Sequence, residues 1–284
     1  MARSTPVDGF SLAYDRHGAG APAVLLHGWP GHRGDYRDVA ARLEPHADVV
    51  VPDQPGFGES DRHDRPPKEA YSADAQAASV LGLIDELGLD RPVLVGYDVG
   101  SRVARAIAAT RPGAIRALVL SPPMPGAGER ILHTDEYWYQ PFHRLALAEN
   151  LLDGNPDAVR AYLRHFWEHW SAPGWALAPD RFDEIVALYG RRGAFTSSIA
   201  WYRSGSSGVA TALSERAPAP ADRIALPTTV LWPEVDPLFP PAWSDRLGEF
   251  FADFELHELP GVGHFAPVEA PAAIAEATVR ALRR

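Results

Sequence analysis

The sequence predicts an α/β protein, a mostly parallel sheet flanked by helices with a helical segment inserted late in the chain. Two observations carry this. Short β-branched and apolar runs alternate with stretches of helical periodicity through residues 1–125 and again through 223–284, the rhythm of parallel strands joined by crossover helices. Between them, over 126–222, the texture changes: five of the eight tryptophans fall between Glu129 and Pro220, and no clear strand occurs.

The elements follow in order. Residues 10–18 alternate loosely and end in a glycine turn, as an early edge strand would. Residues 23–26 and 48–51 are short buried strands. Residues 71–89 have the spacing of an amphipathic helix, with Ala75, Ala78, Leu81, Leu83, Ile84 and Leu87 inward and Gly88 ending it. A strand at 92–95 precedes a helix from Val99 on which Val103, Ala104, Ile107 and Ala108 recur. Strands at 115–120, 227–232 and 254–259 bring the total to seven, and a helix over 271–284 closes the chain. In the insertion, 147–152, 158–170 and 181–189 are helical, separated by Pro, Gly and Ser. The expected organisation is a core of 1–125 with 223–284, carrying a helical cap at 126–222.

Composition narrows the function. A chain of 284 residues that is 46% hydrophobic can fill one large core or a core with a smaller insertion. It has no cysteine, which removes disulfides and thiolate metal sites. A net charge of −10 disfavours nucleic acid and anionic membranes as partners. The segment MARSTPVDGF has no apolar run of signal-peptide type, and no stretch approaches membrane-spanning length. A soluble cytoplasmic protein, monomer or homodimer, is the expectation.

The chain is organised around Gly96-Tyr97-Asp98-Val99-Gly100, between a strand and a helix. The glycines permit a sharp turn that lifts the middle side chain to the helix N-terminus, where partial positive charge favours an anion. This G-x-D-x-G resembles the nucleophile elbow of the α/β-hydrolase fold, with aspartate where serine is usual. A carboxylate attacks sp³ carbon and leaves an alkyl ester for water to cleave. Taken alone, Asp98 could equally cap the helix. The remaining motifs favour the first reading.

His27-Gly28-Trp29-Pro30 is similar to the oxyanion loop of epoxide hydrolases and the related dehalogenases, which implies that Trp29 donates its N–H together with Val99 and that a cis proline follows. Asp53-Gln54-Pro55-Gly56-Phe57-Gly58 resembles a turn of the same family; without a following lysine it is no nucleotide loop. Asp236, past the strand at 227–232, matches the position of the family's acid after its seventh strand, with Glu234 as fallback. His264, in Gly261-Val262-Gly263-His264, matches the catalytic histidine. Trp201-Tyr202-Arg203 resembles a cap stretch of epoxide hydrolases. Tyr139 resembles the second cap tyrosine, with Tyr137 a close rival.

The resemblance implies an eight-stranded, mostly parallel α/β-hydrolase sheet and a chamber between sheet and cap lined by aromatic residues. It also implies hydrolysis of a small apolar or aromatic epoxide to a vicinal diol, with no cofactor or metal. Asp98 would attack the less hindered carbon while Tyr139 and Tyr202 protonate the oxygen; His264, oriented by Asp236, would then activate water. A haloalkane or haloacid dehalogenase with the same Asp-His-Asp triad is the alternative. Val99 argues against it, because haloalkane dehalogenases commonly carry tryptophan at that position and fluoroacetate dehalogenases arginine. Arg102 is shared with the fluoroacetate enzymes, and their cap His-Trp pair is matched by Tyr139-Gln140. A catalytically silent receptor of the same fold is a third reading, disfavoured because all three triad positions are filled.

Overall fold

The computed structural model describes all 284 residues. Eight strands form one sheet: β1 (Ala2–Arg3), β2 (Ala13–Gly18), β3 (Pro22–Leu26), β4 (Asp48–Pro52), β5 (Val93–Gly96), β6 (Ala117–Leu120), β7 (Thr228–Pro233) and β8 (Phe254–Leu259). Their spatial order is β1-β2-β4-β3-β5-β6-β7-β8. β2 runs antiparallel to β1 and β4, and every pairing from β4 to β8 is parallel. Strands β3, β5, β6 and β7 are buried on both faces, which explains why they read as unbroken apolar runs.

Twelve helices accompany the sheet. Before β7 in the core lie α1 (Arg37–Leu43), α2 (Pro67–Ala70), α3 (Ala73–Glu86) and α4 (Val99–Thr110). Between β6 and β7 come α5 (Tyr139–His143), α6 (Ala146–Leu152), α7 (Pro156–His169), α8 (Pro179–Tyr189), α9 (Ala194–Arg203) and α10 (Gly208–Ser214). The short α11 (Ala266–Glu269) and α12 (Pro271–Leu282) end the chain. One continuous apolar core joins the strands to the helices between β6 and β7, running through Trp29, Tyr139, Phe166, Trp170 and Tyr202.

Two expectations need correction. Residues 10–18 are not the sheet edge: the strand starts at Ala13, and Ala2–Arg3 pairs outside it as the eighth strand. Two residues are too few to show alternation. The helix expected over 71–89 begins after its cap Ser72, and its buried side holds Ala77, Val80, Leu81, Leu83 and Ile84. Ala75, Ala78 and Leu87 are only half-buried. The N-terminal segment covers a further side of α3, where a Cβ on Gly82 would come within 2.2 Å of Val7.

Register sets up the site. Leu26 pairs with Gly96, Gly96 with Leu120, and Leu120 with Val230, so four adjacent parallel strands present their carboxyl ends together. The loops that follow converge there, as the crevice rule for open parallel sheets requires.

Candidate active site

Asp98 leaves β5 with φ +49° and ψ −120°, a left-handed conformation that costs a non-glycine residue about 1–3 kcal/mol. Glycines make the turn feasible. A Cβ on Gly96 would lie 2.7 Å from the Gly100 backbone, and one on Gly100 only 2.0 Å from the Leu26 carbonyl oxygen. The Asp98 side chain makes no capping hydrogen bond to α4, so the helix-cap alternative has no bond to support it. Its Oδ1 instead accepts from the Trp29 N–H at 2.8 Å. Gly28 is required for this approach, since a Cβ there would meet the Asp98 Cβ at 2.5 Å.

The loop that carries Trp29 holds its shape through buried partners. The Trp29–Pro30 peptide is cis. The His27 ring bridges the Gly28 carbonyl and the Gln54 N–H, at 2.9 and 3.1 Å, and burial lowers its pKa to about 4. His27 is thus a neutral brace. Asp53 accepts from the backbone N–H groups of Arg33 and Glu59, at 2.8 and 2.9 Å, and pairs with the Arg33 guanidinium. That turn buttresses the loop from below.

His264 places Nε2 3.6 Å from Asp98 Oδ2 and Nδ1 2.9 Å from Asp236 Oδ2. All three side chains are nearly buried. Burial alone would lower the His264 pKa, but the two carboxylates outweigh it, Asp236 most, and push it up to about 10. Nε2 has no hydrogen-bonding protein partner, which leaves it available to chemistry. Asp236 is fixed by the Leu238 N–H at 2.8 Å. Glu234 does not reach the histidine; it accepts the Gly261 N–H at 2.8 Å. Asp236→Asn should therefore lower kcat by about three to four orders of magnitude with the fold retained, through loss of charge and tautomer. Glu234→Gln should stay near wild type, and steady-state rates of the two variants check the assignment.

The tyrosines stand opposite. Tyr139 and Tyr202 share the lining of the chamber over Asp98 with Val99, Arg102 and Tyr137. The Tyr139 ring stacks on Trp29 at 5.6 Å and 3°, and Tyr202 meets both rings edge-on at 5.7 and 5.5 Å. Burial, with the nearby Asp98 charge, raises the pKa of both hydroxyls, so they stay protonated through any working pH. Tyr137 also lines the chamber, but its hydroxyl donates to the Leu238 carbonyl and is committed there. Tyr139 accepts from Gln140 Nε2 at 3.1 Å, while Gln140 Oε1 takes the Val209 N–H at 2.9 Å, tying α5 to α10. Val99 opens α4, so its N–H is among those a helix leaves without an internal partner.

Glu269 is a positioning residue that sequence reasoning missed. Its carboxylate accepts the backbone N–H groups of Gly263, Phe265 and Ala172, at 2.8, 3.1 and 2.9 Å. The His264 N–H donates to the Trp170 carbonyl at 2.8 Å. The histidine loop is thereby bonded to the end of α7. A carboxylate spaced five residues past the histidine was the available signal. No cluster of His, Asp or Glu suited to holding a metal ion occurs.

Comparison with known proteins agrees with this fold. Residues 22–271 match the family described as alpha/beta hydrolase fold. A soluble epoxide hydrolase of Corynebacterium sp. (strain C12) is 28% identical over 282 residues, covering 93% of this chain and 91% of that protein. Haloalkane dehalogenase 2 of Mycobacterium bovis is 30% identical over 280 residues, covering 94% and 90%. An epoxide hydrolase of Bacillus megaterium, solved with an inhibitor, shares the fold at TM-score 0.82 and 19% identity over 99% of each chain. The two enzyme types are matched about equally, so identity does not choose the leaving group.

Proposed function

The chain belongs to the α/β-hydrolase fold family, and from that premise we propose that it hydrolyses epoxides through an ester on Asp98. The observation that carries this is the pair of buried, protonated tyrosines, Tyr139 and Tyr202, lining the same chamber as Asp98. An epoxide oxygen leaves as an alkoxide that needs a proton, and hydroxyls supply one. A halide needs only donors.

Asp98 Oδ1 is held by Trp29, so Oδ2 attacks the less hindered carbon. The C–O bond breaks, the tyrosines bond and protonate the oxygen, and an alkyl ester remains. His264 Nε2 then takes a proton from water, and the hydroxide adds to the ester carbonyl. The N–H groups of Trp29 and Val99 receive the tetrahedral oxyanion, a contribution on the order of 10²–10³ in rate per donor. Collapse releases the diol and restores the carboxylate, with the proton returned. The helices between β6 and β7, residues 126–222, serve as the cap that supplies the tyrosines.

Esterification removes the Asp98 charge, one of the influences that hold the His264 pKa high. The histidine must therefore titrate lower in the ester than its value of about 10 in the free enzyme. Because a base acts deprotonated, hydrolysis should slow as pH falls through the ester-state pKa and level off above it. Single-turnover cleavage of preformed ester against pH measures this; a midpoint near 10 would contradict it.

A dehalogenase reading has one specific support: Trp29 Nε1–H is buried without a partner and would suit a halide. Parallel assays of styrene oxide and a haloalkane panel, reading diol against halide, decide between the two.

A further inference from the structure

The chamber over Asp98 has a cavity volume of ≈ 10 Å³, room for no more than about one water molecule. Beside it, along the outward face of α4, lies a groove of ≈ 320 Å³. Its floor is Ala106 and Ala109, one helical turn apart, and its sides include Ala73, Pro125, Phe250 and Thr211. Arg102 lines both spaces. No other residue does so.

Arg102 is held lightly for a half-buried cation. It makes no ion pair, and its guanidinium donates to the Thr211 hydroxyl on α10. Arg105, one turn further on, is by contrast paired with Glu215 at 2.9 Å. Burial and the neighbouring Arg105 charge lower the Arg102 pKa to about 10, a sign of a cation short of compensation. The segment across from it, Ser204-Gly205-Ser206-Ser207-Gly208, has a left-handed glycine, with φ +89° at Gly205, at the joint between α9 and α10.

We propose that Arg102 is a movable partition, and that with it displaced the groove along α4 joins the Asp98 chamber to receive the apolar remainder of an elongated substrate. This rests on Asp98 being the nucleophile. The reacting carbon would lie against Asp98 and a straight chain would run outward over Ala106 and Ala109. The preferred substrate class is then a terminally functionalised chain of several carbons, and groove size sets the length preference.

The test uses the full chain in a His264→Gln background, where the ester accumulates and intact mass reads alkylation of Asp98. Four reagents separate chain length from leaving group: 1,2-epoxypropane, 1,2-epoxyoctane, 1-bromopropane and 1-bromooctane. Ala106→Trp fills the groove, and Ala109→Trp does so from an exposed position that tolerates a larger side chain. Each should slow alkylation by eight-carbon reagents at least about tenfold and leave three-carbon reagents within about twofold. Arg102→Ala should speed the eight-carbon reagents relative to the three-carbon ones. Unchanged eight-carbon rates in both tryptophan variants overturn the proposal. If bromides alkylate and epoxides do not, the epoxide reading falls, while the chain-length effect still decides the groove.

Discussion

His264→Gln, mixed with an epoxide, is expected to gain the mass of one substrate and keep it. In the proposed scheme the first step uses the Asp98 carboxylate and the tyrosine hydroxyls, none of which the substitution touches. The second step requires Nε2 to take a proton from water, and glutamine cannot. Alkylation therefore proceeds to one adduct per chain and stops, with turnover lower by about 10⁴ or more. Asp98→Ala, lacking the nucleophile, should show neither turnover nor adduct. Peptide mapping should place the adduct on Asp98. No adduct in His264→Gln, with wild type active under the same conditions, would rule out the two-step scheme.

Removing both cap hydroxyls should be nearly as severe and affect the other half of the reaction. With Tyr139→Phe alone, Tyr202 remains as donor, and ring opening should slow by about 10²–10³ at most. With both replaced, the alkoxide forms in a chamber closed to bulk solvent with no positioned acid beside it, and alkylation should almost cease. Ester cleavage does not use these hydroxyls, so ester made beforehand should still hydrolyse. As phenylalanine each ring keeps its contact with Trp29, stacked from position 139 and edge-on from position 202, which separates loss of the proton donor from loss of packing. Rapid-quench measurement of the two steps tests this. Wild-type alkylation in Tyr202→Phe would turn the reading toward halide release.

Local chemistry was legible in the sequence and long-range chemistry was not. The turn at Asp98 could be read because its glycines and the flanking strand and helix lie within one short stretch, and β8 was delimited correctly because its ends are marked by turns. Helix α9, which carries Tyr202, escaped periodicity analysis. Its buried positions include Ser197 and Ser198, polar residues whose hydroxyls donate to the Gly56 and Phe195 carbonyls at 2.7 and 2.8 Å. A pattern method counts them as surface. Choosing between Tyr137 and Tyr139 needed the partner of each hydroxyl, and the Leu238 carbonyl is a hundred residues away in the chain. Glu269 was missed for a related reason: it binds only backbone N–H groups, which leave no mark on the composition of the segments it joins.

The clasp formed by Glu269 and Trp170 has a mechanical consequence. Several buried hydrogen bonds, each costly to leave unmade at about 1–3 kcal/mol, fasten the end of α7 to the loop that aims His264. Were the helical layer to lift at that corner, it would drag the base off line each time a substrate entered. The joint therefore couples the seating of the helical layer at that corner to the direction in which the His264 ring points.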